Sequence, residues 1–179
     1  KLGGSRVPVA QVFVSTGGFK VPPLDAVRRL RQEGVVCVEL SGGALGNEPI
    51  AGLASEAVHG PMQVHNYFPP QTHPFVFNLC DPDPAGRARS LNLAQEAIEF
   101  GLTFGSTVYS FHAGFLGTPG VSDLGRAWGV TQRIGLDEGV ALFAQSVAEL
   151  SAFAGERGVE LLVENNVLTL GTAERNGED

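Results

Sequence analysis

The 179 residues suffice for one domain with a buried core. With 43% hydrophobic and 17% charged residues, the chain has the balance of a globular protein, and its apolar runs are too short for a helix to cross a membrane. The formal net charge is −7 and the only lysines are Lys1 and Lys20, so the clustered cations that nucleic-acid binding needs are missing.

The chain alternates short apolar runs with helix-like stretches. "VAQVFVSTGGF" (9–19) is a β-rich run broken at Gly17 and Gly18. "PPLDAVRRLRQEG" (22–34) follows. Pro23 suits a first helical turn, Leu24, Val27 and Leu30 form an apolar stripe, and Gly34 can close the helix. Arg28, Arg29 and Arg31 read as its solvated face. "VVCVEL" (35–40) is a strand, with Cys37 as a small core residue. A short helix is expected near 49–58. "MQVHNYF" (62–68) is a strand stopped by Pro69 and Pro70.

The clearest helix spans 84–104, with Asp83 as N-cap, Pro84 at the first position, and Leu91, Ala94, Ile98 and Leu102 at helical spacing. "STVYSFHAG" (106–114) is the next strand. A Gly-rich loop over 115–135 is unusually long, as a lid, a binding loop or a plain surface insertion would be. A helix over 137–157, capped by Asp137, turns Val140, Phe143, Val147, Leu150 and Ala154 inward, and Gly158 ends it. "VELLVEN" is the last strand. Strands that are apolar along their length are buried on both faces, which predicts a parallel α/β sheet. The candidates are a doubly wound sheet or part of a (β/α)8 barrel. "STGGF" lacks the dinucleotide spacing and no P-loop is present, so no nucleotide cofactor is expected.

In parallel α/β folds the chemistry collects at the carboxyl ends of the strands. Those ends carry Ser15 and Thr16, Glu39, His65 and Asn66, His112, and Glu164 and Asn165. His65, His112 and Glu164 recur at intervals of roughly 50 residues, about one βα unit with a generous loop. Imidazole and carboxylate are the ligand types of a divalent metal, with Zn or Mn the expected ion. Taken singly, each histidine also has the ordinary reading of a core or rim residue. Glu39 could instead pair with an arginine. His59 and His73 read as surface residues, and Tyr67, Phe68, Tyr109 and Phe111 as packing. "CDPDP" (80–84) reads as a turn and cap. There is no GxSxG elbow. Neither a disulfide framework nor a signal peptide is visible, which points to the cytoplasm.

"VHNYFPP", "YSFHAGF" and "LLVENN", in that order, resemble the xylose isomerase-like TIM barrels, and within them the sugar phosphate isomerase/epimerase branch more than the related AP endonuclease family. The resemblance covers roughly residues 9 to 168. It implies a (β/α)8 barrel with divalent metal at its carboxyl rim. Residues 1–179 would form a single domain holding about the first five βα units, with the remaining strands missing, not described, or supplied by a partner. It also implies metal ligation by Glu164, with His65 and His112 matching zinc-binding histidines of the endonuclease branch. Asn66, Asn165 and Glu39 are expected to touch substrate, and no general base is assigned.

The expected activity is metal-dependent isomerisation or epimerisation of a sugar or sugar phosphate through an enediolate. Two alternatives stand beside it. One is phosphodiester cleavage at abasic DNA, which the two histidines favour and the acidic charge opposes. The other is a non-catalytic barrel that binds a sugar or a protein partner. The oligomeric state stays open, a homo-oligomer included.

Overall fold

The computed structural model describes residues 11–45, 52–123 and 133–165. Five strands form one sheet in the order β1 (Val14–Ser15), β2 (Val38–Ser41), β3 (Met62–His65), β4 (Val108–His112), β5 (Glu160–Glu164). Every pairing is parallel. Helices α1 (Pro23–Gln32), α2 (Leu53–Glu56), α3 (Pro84–Leu102) and α4 (Leu136–Gly155) lie between successive strands. Parallel neighbours need such crossovers, and crossovers of one hand stack the helices on one face of the sheet.

The helix starts and stops follow local chemistry. Asp83 accepts hydrogen bonds from the backbone N–H groups of Ala85 and Gly86, and Pro84 opens α3 where its missing N–H costs nothing. Leu24, Val27 and Leu30 of α1 are buried as the stripe predicts, and Gly34 leaves the helix in the left-handed region at φ 82°. At α4 the cap is Gly135, not Asp137. Asp137 and Glu138 instead place negative charge in the first turn, against the positive end of the helix dipole. The buried face of α4 runs through Gly139, Ser146, Leu150 and Ala154. Phe143 and Val147 flank it, while Val140 is exposed. Ser146 donates to the Leu79 carbonyl at 2.7 Å, which explains a polar residue on that face.

Some strands are shorter than the apolar runs suggest. The first run yields only Val14–Ser15, followed by a 3-10 turn over Thr16–Gly18; its residues 9 and 10 lie outside the described ones. The third strand stops at His65 rather than reaching Phe68, because Asn66 turns into the left-handed region at φ 42°. Cys37 is half-buried, not a core residue. In the region of the short helix expected near 49–58, α2 covers Leu53–Glu56, and residues 46–51 lie outside the described ones. So do 124–132 of the long loop.

The strands are not apolar on both faces, and the second face is only partly buried. Residues paired in a parallel register point to the same side, and successive residues point to opposite sides. On the helix side lie Val38 and Leu40 of β2, Met62 and Val64 of β3, and Tyr109 and Phe111 of β4, all buried in one apolar cluster with the helices. On the other side lie Glu39, Ser41, Gln63, His65, Ser110, His112 and Glu164. That face is polar. At the edge, β5 is exposed over most of its length, Leu162 and Val163 included.

Arg31 is also not a solvated face residue. Its guanidinium donates to the carbonyls of Val35, Val36 and Gly60, tying the end of α1 to the turn before β3. Arg28 is exposed and pairs with Glu56 at 3.3 Å.

Candidate metal centre

The polar face gathers the candidate residues through register. Ser41 pairs with His65, His65 with Ser110, and His112 with Glu164. Ser41, His65, His112 and Glu164 close their strands, and Ser110 sits two residues before the end of β4. Glu164 is further fixed through its backbone, where its carbonyl accepts from the Ala113 N–H at 2.9 Å.

The carboxylate of Glu164 sits between two imidazoles. Oε1 is 3.5 Å from His65 Nδ1, and Oε2 is 3.9 Å from His112 Nε2. The two rings meet edge to face, with centroids 4.9 Å apart. One ligand atom from each of the three residues lies within 4.8 Å of the others. Donors bound to one divalent ion at about 2.0–2.3 Å can stand no more than about 4.6 Å apart. The trio therefore fits such an ion after a small closing movement. Its two imidazoles and one carboxylate are the donor set that borderline divalent metals take.

Exposure rises across the site, from a buried His65 side chain to a half-exposed Glu164. Burial pushes the His112 imidazole below the ordinary histidine range, and the neighbouring His65 adds to that; Glu164 and Glu39 pull the other way. The net effect keeps His112 neutral and its lone pair free near neutral pH.

The other predicted residues spread around this centre. Glu39 lies on the same face but lower, and it accepts a hydrogen bond from Gln63 Nε2 at 3.0 Å; among the described residues no arginine pairs with it. Asn66 is buried beside His65, and its Oδ1 has no hydrogen-bond partner among the described residues. Asn165 is exposed after β5. Thr16 Oγ1 accepts from the Ser41 N–H at 2.9 Å, which ties the first two strand ends together. His59 and His73 are exposed, as expected. Tyr67 packs half-buried against the core, and Phe68, Tyr109 and Phe111 are buried in it.

Two residues escape the sequence reading. Ser110 contacts His65 Nδ1 through Oγ at 2.9 Å. Asn78, fully buried, holds the loop that follows His112: its Nδ2 donates to the carbonyls of Phe115 and Gly117, and its Oδ1 accepts from the N–H groups of Cys80 and Phe115. The inward alternation of "YSFH" could have exposed Ser110; nothing local marks Asn78.

Parallel strands with a metal-type cluster at their carboxyl ends define the chain as part of an α/β barrel. The profile of the xylose isomerase-like TIM barrels matches residues 27–173, and the chain belongs to that family. Among solved structures it is similar to a D-tagatose 3-epimerase-like protein (TM-score 0.63, 16% identity, covering 88% of this chain and 54% of that one). It is also similar to an L-ribulose 3-epimerase (TM-score 0.61, 16% identity, 86% and 48%). A third is a protein from Thermus thermophilus soaked with ZnCl2 (TM-score 0.52, 20% identity, 87% and 55%). At these identities the likeness is one of fold, and the chain spans about half the length of each. No curated protein sequence matches the chain. Among the described residues no helix is long and apolar enough to cross a membrane.

Proposed function

We propose that this chain supplies the divalent-metal end of a sugar or sugar phosphate isomerase or epimerase. The observation that carries the reading is the convergence of His65, His112 and Glu164 within 4.8 Å at three successive strand ends. The sugar epimerases among its structural neighbours support the substrate class.

His65, His112 and Glu164 would hold the ion, with zinc or manganese suiting two nitrogens and a carboxylate oxygen. Bound there, the metal would supply Lewis-acid stabilisation of the charge that develops on a sugar carbonyl oxygen when the neighbouring C–H loses its proton. The chain's own residues prepare that site. The neutral His112 offers its lone pair without first losing a proton. Glu39, oriented by Gln63, presents a carboxylate on the same face, and Asn66 and Asn165 flank the two sides of the cluster. These three are the substrate contacts of this reading.

The test is metal analysis of the purified protein, followed by Glu164→Gln. Bound divalent ion in the wild type and its loss in the variant are expected. No bound ion, with activity on sugars indifferent to the substitution, would refute the reading. A second reading, phosphodiester cleavage, is favoured by the same pair of histidines. It predicts salt-dependent binding to abasic duplex, which the net charge of −7 opposes.

A further inference from the structure

We infer that Ser110 is a positioning residue for His65, and that it selects which imidazole nitrogen is offered to the metal; the inference rests on the metal reading above and deepens it. Ser110 Oγ lies 2.9 Å from His65 Nδ1, and the two residues are direct partners in the β3–β4 register. Both are buried, Ser110 at 2% exposure and His65 at 8%, so water does not compete for the contact. The backbone around them is clamped. The Asn66 N–H donates to the Ser110 carbonyl at 2.8 Å, and the buried Tyr109 hydroxyl donates to the Asn66 carbonyl at 3.3 Å.

The same nitrogen, Nδ1, also faces Glu164 Oε1 at 3.5 Å. An ionised carboxylate can only accept, and a serine oxygen can accept. A bare Nδ1 could accept from the Ser110 O–H but would turn its lone pair towards the Glu164 carboxylate. A proton on Nδ1 instead satisfies Ser110 and is attracted by Glu164. Neutral imidazole carries one proton, so Nε2 is then the bare nitrogen. Metal-binding histidines are commonly oriented in this way, with the second nitrogen donating to a fixed acceptor.

The experiment is a set of long-range proton–nitrogen correlation spectra of the full chain labelled at histidine, recorded well above the histidine titration range, with and without zinc. Wild-type His65 should show the Nδ1–H form, and zinc should shift its Nε2. Ser110→Ala should lose the preference for that form and weaken zinc binding by about 10- to 100-fold. Ser110→Thr, which keeps the hydroxyl, should restore both. Where the alanine variant fails to fold, Ser110→Cys keeps the volume with a weak acceptor and should behave as alanine is expected to. A folded Ala or Cys variant with unchanged tautomer and unchanged zinc affinity overturns the inference. If zinc moves neither His65 nor His112 in the wild type, the metal reading fails, and with it the role given to Ser110 in metal selection. The metal-free tautomers of the wild type and variants still report separately on whether Ser110 orients the ring.

Discussion

Asn78→Ala tests whether the loop that leaves the site is held from below. The side chain makes four hydrogen bonds to backbone groups: Nδ2 to Phe115 O at 3.0 Å and to Gly117 O at 2.9 Å, Oδ1 from Cys80 N at 3.2 Å and from Phe115 N at 3.0 Å. At a net value of about 1 kcal/mol each, their removal should cost about 4 kcal/mol. The residue is fully buried, so water cannot readily replace them. Asn78→Asp keeps the acceptor but turns a carboxylate oxygen towards two carbonyls, so it should be no milder. Gly114 supplies an internal control. A Cβ there would stand 2.6 Å from Asn78 Oδ1, and the backbone is at φ 107°. Gly114→Ala should therefore be destabilising, and partly less so in the Asn78→Ala background, where that clash is gone while the one with Cys80 Sγ at 2.9 Å and the positive φ stay. Urea unfolding at constant m-value measures all three. A loss below about 1 kcal/mol for Asn78→Ala, well under the range for four lost bonds, or strict additivity with Gly114→Ala, would refute the anchoring argument.

Three further outcomes follow from the same structure. The His112 imidazole is held below its unfolded value by burial and by His65. The unfolded chain therefore takes up a proton more readily, so the metal-free protein should lose stability as pH falls from about 6.5 towards the lower folded value, and not above it; His112→Gln should remove that part of the slope in pH-dependent melting, and an unchanged slope would contradict it. Arg31→Ala should cost about 2 kcal/mol in chemical unfolding through its bonds to the carbonyls of Val35, Val36 and Gly60, whereas a surface arginine would be near neutral. Asn66 holds φ at 42°, so Asn66→Ala should be about 1 kcal/mol less stable than Asn66→Gly, and equal melting of the two would show that the left-handed backbone carries no cost.

The parts of this fold legible in the sequence are those written in local chemistry. Asp83 and Pro84 announce α3 because the cap needs only the next three residues, and the Leu24, Val27 and Leu30 stripe announces α1 because helical spacing brings those residues onto one face. The spacing of His65, His112 and Glu164 signals a shared rim because each closes a strand of one repeating unit. The misreadings have one cause. Arg31 and Val140 are judged in the sequence by their neighbours along the chain, but their surroundings come from other elements. Arg31 meets carbonyls beyond the end of its own helix, and Val140 sits beside the buried face that Ser146 occupies. Asn78 is invisible for the same reason, since the loop it holds is 37 residues away, and Ser110 is marked only by the alternation of its strand, its partner being 45 residues away.

The two-faced sheet links these points to function. An all-apolar parallel sheet would have no reason to place His65, Ser110, His112 and Glu164 on one side. The observed strands do so because "VELS", "MQVH" and "VYSFH" alternate despite their apolar look. In β4 the buried Tyr109 and Phe111 face the helices, and Ser110 and His112 face away. A one-residue slip of β4 against β3 would exchange those sets, turning Ser110 and His112 away from the site and a tyrosine and a phenylalanine onto the polar face. The apolar packing of Tyr109 and Phe111 thus fixes the register that the site needs. The same residues that hold the helices onto the sheet set the 2.9 Å contact between Ser110 and His65 and the pairing of His112 with Glu164.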